Sequence, residues 1–408
     1  MQENPECEAA ARILFGPERQ ADATGAIGDR ILVQPFEIGR TKEMVEQSIE
    51  IHAPAMRERT AECKQRWRQR VGTEHAAISG SRAFGRDVLR SEQAFPRMFN
   101  PSAPSGSDPA RSSTAGITVA ARPLRFLVAE SEPPEARAKR RESVCRSSGE
   151  SFEATLRSLA PDASCDRMTP ADDDASVPSR EEIAGYDAVF LTGSPIHLYD
   201  DTPEVAREIA FMRAVFASAT PAFGSCAGLQ VATVAAGGRV RSMGKRREAG
   251  FARRISPTDA GRRHPLLAGR PHAYDAPAIH TDEVEALPEN AVLLASNATT
   301  HVQAAEIRCG DGIFWGVQYH PELPLAEIAA AIRRQTDDLI ETGLARSAVD
   351  IEQHASLLDS LAEEPERRDI AWRLGLDDQV TDANLRRTEL RNFIDRLVRP
   401  TVSRRGRG

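Results

Sequence analysis

Cys226 stands between two glycines in Gly224-Ser225-Cys226-Ala227-Gly228-Leu229-Gln230, where an apolar run passes into a helix of small residues. Thr220-Pro221-Ala222-Phe223 reads as a short strand, and Ala227 to Ala236 as a buried helix closed by Gly237-Gly238. Cys226 therefore falls at a strand-to-helix turn. Residues without a β-carbon suit a crowded, strained turn, and the helix amides direct the positive end of their dipole at the sulfur. Such a setting favours the thiolate, the form of cysteine that acts as a nucleophile. Taken alone, the pentapeptide fits a buried structural cysteine between turn glycines equally well.

A thiol nucleophile needs an imidazole to take and return a proton, and the imidazole needs a carboxylate to fix its tautomer and balance its charge. Both occur downstream, where the apolar strand Gly312 to Tyr319 runs into His320-Pro321-Glu322. Pro321 ends the strand and leaves His320 at its tip. The long interval between Cys226 and His320 is no obstacle, because such partners meet only after the sheet is assembled.

With these residues in view, the chain resembles the class I glutamine amidotransferases, which pair a G-x-C-x-G-x-Q elbow with a later H-P-E. Further landmarks follow in family order. They are Tyr186 to Pro195 with its Gly193 turn, Ile279-His280-Thr281-Asp282-Glu283-Val284 followed by Leu287-Pro288, and Val302 to Ile307. The resemblance spans about Leu124 to Leu344 and points to stand-alone members similar to the glutaminase part of a GMP synthase. It implies that Cys226 attacks the side-chain amide of glutamine, that His320 protonates the departing ammonia, and that Glu322 orients His320. It also implies an oxyanion hole from the backbone amides of Gly193 and Ala227, with Gly193, Ser194 and Gln230 at the substrate. Gln230 could instead be an ordinary polar residue of its helix.

Ala227 and Leu229 depart from the larger residues, and the His or Met, common at these family positions. Neither change removes a reacting group, but a wider pocket makes hydrolysis of a γ-glutamyl peptide or conjugate the runner-up activity. A non-catalytic binding or scaffold protein of the same fold is a third reading, against which the intact triad argues. No cofactor is implied. No synthetase segment is recognisable, so a separate ammonia-accepting synthetase is an expected partner.

The fold expected from alternating apolar strands and helices is α/β: an open, mostly parallel sheet with helices on both faces and reactive groups at the carboxyl ends of strands, which the resemblance implies is the flavodoxin-like fold of that family. The first strand is Arg125 to Ala129, and Glu130 to Ser151 reads as an exposed loop leading into a helix from Ser151 to Leu159. Leu325 to Leu344 reads as one amphipathic helix. The domains expected are a partly helical or disordered leader over 1–94, a Pro/Ser/Gly-rich linker over 95–123, the amidotransferase domain over 124–344 and a helical extension over 345–408. Translation from an upstream start codon would account for the leader. Trp372, Leu390, Phe393 and Leu397 belong to the apolar pattern of the extension, which packs on the domain flank or docks a partner.

With 408 residues, 40% hydrophobic, and a net charge of −7, the chain suits a globular enzyme and has no nucleic-acid footprint. Lys245-Arg246-Arg247 reads as a solvated loop. The six cysteines are scattered without C-x-x-C spacing, indicating neither zinc nor a disulfide framework. His197, His264, His272, His280 and His301 form no metal-ligand pattern, and His280 is expected to be structural or substrate-lining. No apolar run has the roughly 20 residues needed to span a bilayer, and the acidic start, with Glu3, Glu6 and Glu8, is unlike a secretory signal; the cytoplasm is the expected location.

Overall fold

The computed structural model describes residues 122–406. Expectations for the leader, and for the linker up to residue 121, lie outside the described residues. The strands are β1 Arg125–Ala129, β2 Ser164–Met168, β3 Ala188–Leu191, β4 Ala222–Ser225, β5 Arg239–Ser242, β6 Glu248–Pro257, β7 Tyr274–His280, β8 Asp282–Ala286, β9 Ala291–Ser296, β10 Ala304–Cys309 and β11 Gly312–Val317. Nine of them form a sheet in the order β2-β1-β3-β4-β11-β10-β9-β6-β7, while β5 and β8 make a separate antiparallel ribbon. Pairings from β2 through β11 are parallel. From β11 to β7 they are antiparallel, so the expected parallel sheet carries an antiparallel wing.

The helices are α1 Pro134–Val144, α2 Ser148–Leu159, α3 Arg180–Ala184, α4 Pro203–Ser218, α5 Ala227–Ala235, α6 Asp259–Arg263, α7 Leu325–Arg334, α8 Thr336–Glu341, α9 Ala348–Glu363, α10 Arg368–Leu374, α11 Asp378–Thr381, α12 Ala383–Arg386, α13 Thr388–Phe393 and α14 Arg399–Arg404. A π turn, Ile394–Val398, joins the last two.

Both faces of the parallel half are covered, as the unbroken apolar strands require. On β1, Phe126 and Val128 enter one core with Phe152 and Leu156 of α2 and Phe393 of α13. Leu127 and Ala129, pointing the other way, join Phe211, Met212 and Val215 of α4 and Leu229 and Val231 of α5. Each such large side chain contributes about 1.5–3 kcal/mol on burial.

Three local expectations change. Glu130 to Ser151 is not an exposed loop: Pro133 and Pro134 open α1, where a proline costs no hydrogen bond. Arg137 on that helix is buried and forks onto Asp172 at 2.6 and 2.8 Å. Leu325 to Leu344 forms two helices, broken at Gln335. Trp372 is 82% exposed rather than part of an apolar face, whereas Phe393 lies against Phe190, Phe223 and Trp315 at ring-centre distances of 5.4, 5.6 and 6.0 Å. The C-terminal helices thus complete the core over the parallel strands. Cys165, Cys226 and Cys309 are free thiols.

Candidate active site

β4 and α5 are joined through Cys226, whose backbone takes φ 54° and ψ −111°. A positive φ at a residue bearing a β-carbon costs on the order of 1–3 kcal/mol and persists only where the surroundings impose it. Here they do. Cys226 N donates to Val317 O at 2.8 Å, which ties the turn to the end of the neighbouring β11. A Cβ on Gly224 would stand 2.8 Å from the carbonyl carbon of Gly228, and one on Gly228 would stand 2.8 Å from Leu191 O. The two glycines allow the helix to approach β3 and β4 closely enough to raise the sulfur at the turn.

β11 delivers His320 just past its end, where the His320 amide donates to Pro277 O at 2.7 Å. His320 Nδ1 lies 2.7 Å from Glu322 Oε1, and both side chains are buried. Glu322 is held in turn by Ser225 Oγ, which donates to the same oxygen at 3.0 Å, while Thr155 Oγ1 on α2 donates to its carbonyl at 3.0 Å. Ser225 lies inside the elbow motif, yet its role as a partner of Glu322 has no signature in sequence. Burial opposes charge on His320, but the Glu322 carboxylate, the charge of the Cys226 sulfur and hydrogen bonding with both push its pKa up to about 10. The imidazole is therefore protonated at neutral pH.

Gly193 closes the group from the β3 side. A Cβ placed there would be 2.6 Å from His320 Cε1 and 3.6 Å from Cys226 Cβ. Its turn is fixed from behind: Thr192 N donates to Ala129 O at 3.0 Å, and Ser194 Oγ donates to Ser131 O at 2.7 Å. Ala227 occupies the first position of α5, where a helix amide has no intrahelical acceptor.

A cavity of about 290 Å³ opens onto Cys226 and is lined by Ser194, His197, Gln230, Thr281 and Asp282 among others. Gln230 and Ser194, both expected at the substrate, thus reach its wall. The Gln230 amide nitrogen is already engaged, donating to Asp282 O at 3.1 Å and to Gln318 Oε1 at 3.3 Å. His197 Nδ1 and Asp282 Oδ2 are 2.6 Å apart, and Tyr199 OH donates to Asp282 Oδ1 at 3.2 Å. His280 takes a structural place: its Nε2 meets Glu248 Oε2 at 2.8 Å and its Nδ1 meets Asp282 O at 2.9 Å.

The sequence pattern of class-I glutamine amidotransferases matches residues 153–336. A γ-glutamyl-L-1-hydroxyisopropylamide hydrolase from Pseudomonas sp is 33% identical over 288 residues, 69% of this chain and 96% of that protein. The chain belongs to the class-I glutamine amidotransferase family. Other relatives of this amidotransferase chain are glutamine-hydrolysing GMP synthases, such as that of Thiobacillus denitrificans, 34% identical over 148 residues. That match spans 33% of this chain and 25% of the synthase. A solved glutamine amidotransferase from Thermotoga maritima shares 17% identity, with a TM-score of 0.46 over 67% of this chain and 98% of that one. Among the described residues, no helix is long and apolar enough to cross a membrane.

Proposed function

We propose that the protein hydrolyses the amide bond of a γ-glutamyl amide through a thioester on Cys226. The observation that carries this reading is the linked set of Cys226, His320 and Glu322 beneath the Gly193 turn, with the 2.7 Å contact between His320 and Glu322 at its centre. The Cys226 sulfur attacks the δ-carbonyl carbon and the carbonyl π electrons move to oxygen. The amides of Gly193 and Ala227 are the donors assigned to that oxyanion; one such donor is worth about 2.7–4 kcal/mol in the transition state. Protonated His320 gives its proton to the leaving nitrogen as the C–N bond breaks. Neutral His320 then takes a proton from water, which attacks the thioester and releases glutamate. Glu322 holds the imidazole orientation and balances its charge through both halves.

In the first reading the substrate is glutamine and the leaving group ammonia, which a separate synthetase would consume. A second reading, a γ-glutamyl conjugate of a small amine, is favoured by the similarity over 96% of the γ-glutamyl-hydroxyisopropylamide hydrolase. Measuring glutamate release from glutamine and from γ-glutamyl alkylamides side by side separates the two. The reading fails if neither compound is cleaved faster by the native protein than by its Cys226→Ala variant.

A further inference from the structure

Thr192, Gly193 and Ser194 lie past the end of β3, outside any strand or helix, so their shape depends on bonds from elsewhere in the chain. Much of that grip comes from Ser131, two positions beyond the end of β1 and wholly buried. Its amide donates to Thr192 Oγ1 at 3.1 Å, and Thr192 Oγ1 in turn donates to Gly193 O at 3.0 Å. Its carbonyl accepts from Ser194 Oγ at 2.7 Å, and Ser194 Oγ accepts from Ile196 N at 3.3 Å. The residues on both sides of Gly193 are thus tied to the backbone of Ser131.

The side chain of Ser131 is anchored separately. Its hydroxyl donates to Glu208 Oε2 on α4 at 3.1 Å, while Glu208 Oε1 is buried with no hydrogen-bond partner. Glu208 is inaccessible to solvent, and α4 is set in the core by Phe211, Met212 and Val215, so the acceptor is fixed relative to the sheet. Burial, with the nearby Asp172 carboxylate adding to it, favours the neutral acid at Glu208; Asp172 is itself clasped by Arg137. A buried carboxyl with a single hydrogen bond is costly, and an apolar side chain of similar size would pack there at lower cost. What Glu208 supplies instead is a hold on Ser131.

We propose that Glu208 and Ser131 are positioning residues for the reaction, a buried brace that keeps the Gly193 turn in the geometry from which its amide meets the developing oxyanion. The proposal rests on the γ-glutamyl amide reading above. Because the oxyanion exists only in the transition state, loosening the turn acts on kcat more than on KM.

The test measures kcat and KM for glutamine and a γ-glutamyl alkylamide in the native protein, in Ser131→Ala, Glu208→Leu and their double variant, and in Glu208→Gln, which keeps a neutral acceptor of the same shape. Ser131→Ala and Glu208→Leu are expected to lower kcat by about 10- to 100-fold, part of what a lost oxyanion donor costs, with a smaller change in KM. The double variant falls no further than the single ones, since all lack the same bond, and Glu208→Gln stays near the native rate. An unchanged kcat in folded Ser131→Ala and Glu208→Leu, a loss carried by KM alone, or equal kcat losses in Glu208→Gln and Glu208→Leu overturns the assignment. Amide hydrogen exchange of the substrate-free proteins reads the brace without turnover. Exchange over residues 192–196 is expected to quicken by about 2- to 10-fold in Ser131→Ala and Glu208→Leu, the range of one neutral hydrogen bond, and to stay native in Glu208→Gln. That pattern supports the brace even if the native protein cleaves neither compound, and unchanged exchange in all three variants refutes it.

Discussion

Tyr319 donates its phenol hydrogen to Glu389 Oε1 at 2.8 Å, so the residue directly before His320 is fastened to the C-terminal helices. The same carboxylate is clasped by Arg270, whose Nε and Nη2 lie 2.6 and 2.7 Å from its two oxygens, and both side chains are essentially inaccessible to solvent. Tyr274 OH adds a 2.8 Å contact to Tyr319 OH. A buried ion pair of this kind is a poor source of net stability, but losing one partner strands the other charge.

Glu389→Ala is therefore expected to lower stability by about 3–5 kcal/mol, although the site lies in another part of the chain. Urea unfolding measures it. A change below about 1 kcal/mol would show that Arg270 and Tyr319 find other partners.

Much of the candidate site could be picked out in the sequence because its motifs are local. The elbow and the H-P-E each need their residues adjacent in the chain, and the glycines and Pro321 mark the backbone geometry directly. What escaped notice depends on long-range packing. The role of Ser225 becomes visible only once β4 lies beside β11, and Phe393 enters the core only after the chain returns to β3 and β4. The charged residues of α1 and the run at Lys245 read as solvent-facing by composition, since nothing local reveals that Arg137 meets Asp172 or that Arg247 is covered. The antiparallel wing also depends on long-range order, because the direction in which β10, β9, β6 and β7 pair is set only when the sheet is assembled.

Glu322→Gln removes the larger of the two anions that keep His320 charged, leaving Cys226. The folded pKa of His320, about 10, lies above its ordinary 6.5, so stabilisation of the charged form is complete below about pH 6.5 and lost as pH rises through about 10. The alkaline limb of the kcat profile for the native protein is expected near pH 10, and in Glu322→Gln it moves toward neutrality, with kcat lower by about 10²–10⁴-fold. An unmoved limb would mean that another group carries the proton.

Gly193→Ala places a methyl group 2.6 Å from His320 Cε1. Activity is expected to fall by at least about 10²-fold, because small misplacements of reacting groups cost that much, while the melting temperature stays near native because the turn lies at the cavity rim. Circular dichroism and initial rates check both parts. Gly228→Ala, which drives a Cβ to 2.8 Å from Leu191 O in the core, is expected to lower stability by about 1–3 kcal/mol instead.

Glu208 on α4 is completely buried, and one carboxyl oxygen lies 3.1 Å from Ser131 Oγ, which donates to it. Burial raises its pKa from 4.5 to about 8, outweighing the Ser131 hydrogen bond. The folded protein thus holds a proton there that the unfolded chain releases, and stability is expected to fall as pH rises from about 4.5 to about 8. Glu208→Gln should flatten that part of the stability profile. A native profile and a variant profile with the same slope would contradict the assignment.

The most direct test of the account is acid quenching of the protein during turnover of glutamine or a γ-glutamyl alkylamide, followed by mass spectrometry of the Cys226 peptide. A glutamyl group on that peptide, labile to hydroxylamine and absent from Cys226→Ala, is the predicted result. Glutamate release that continues undiminished in Cys226→Ala would contradict it.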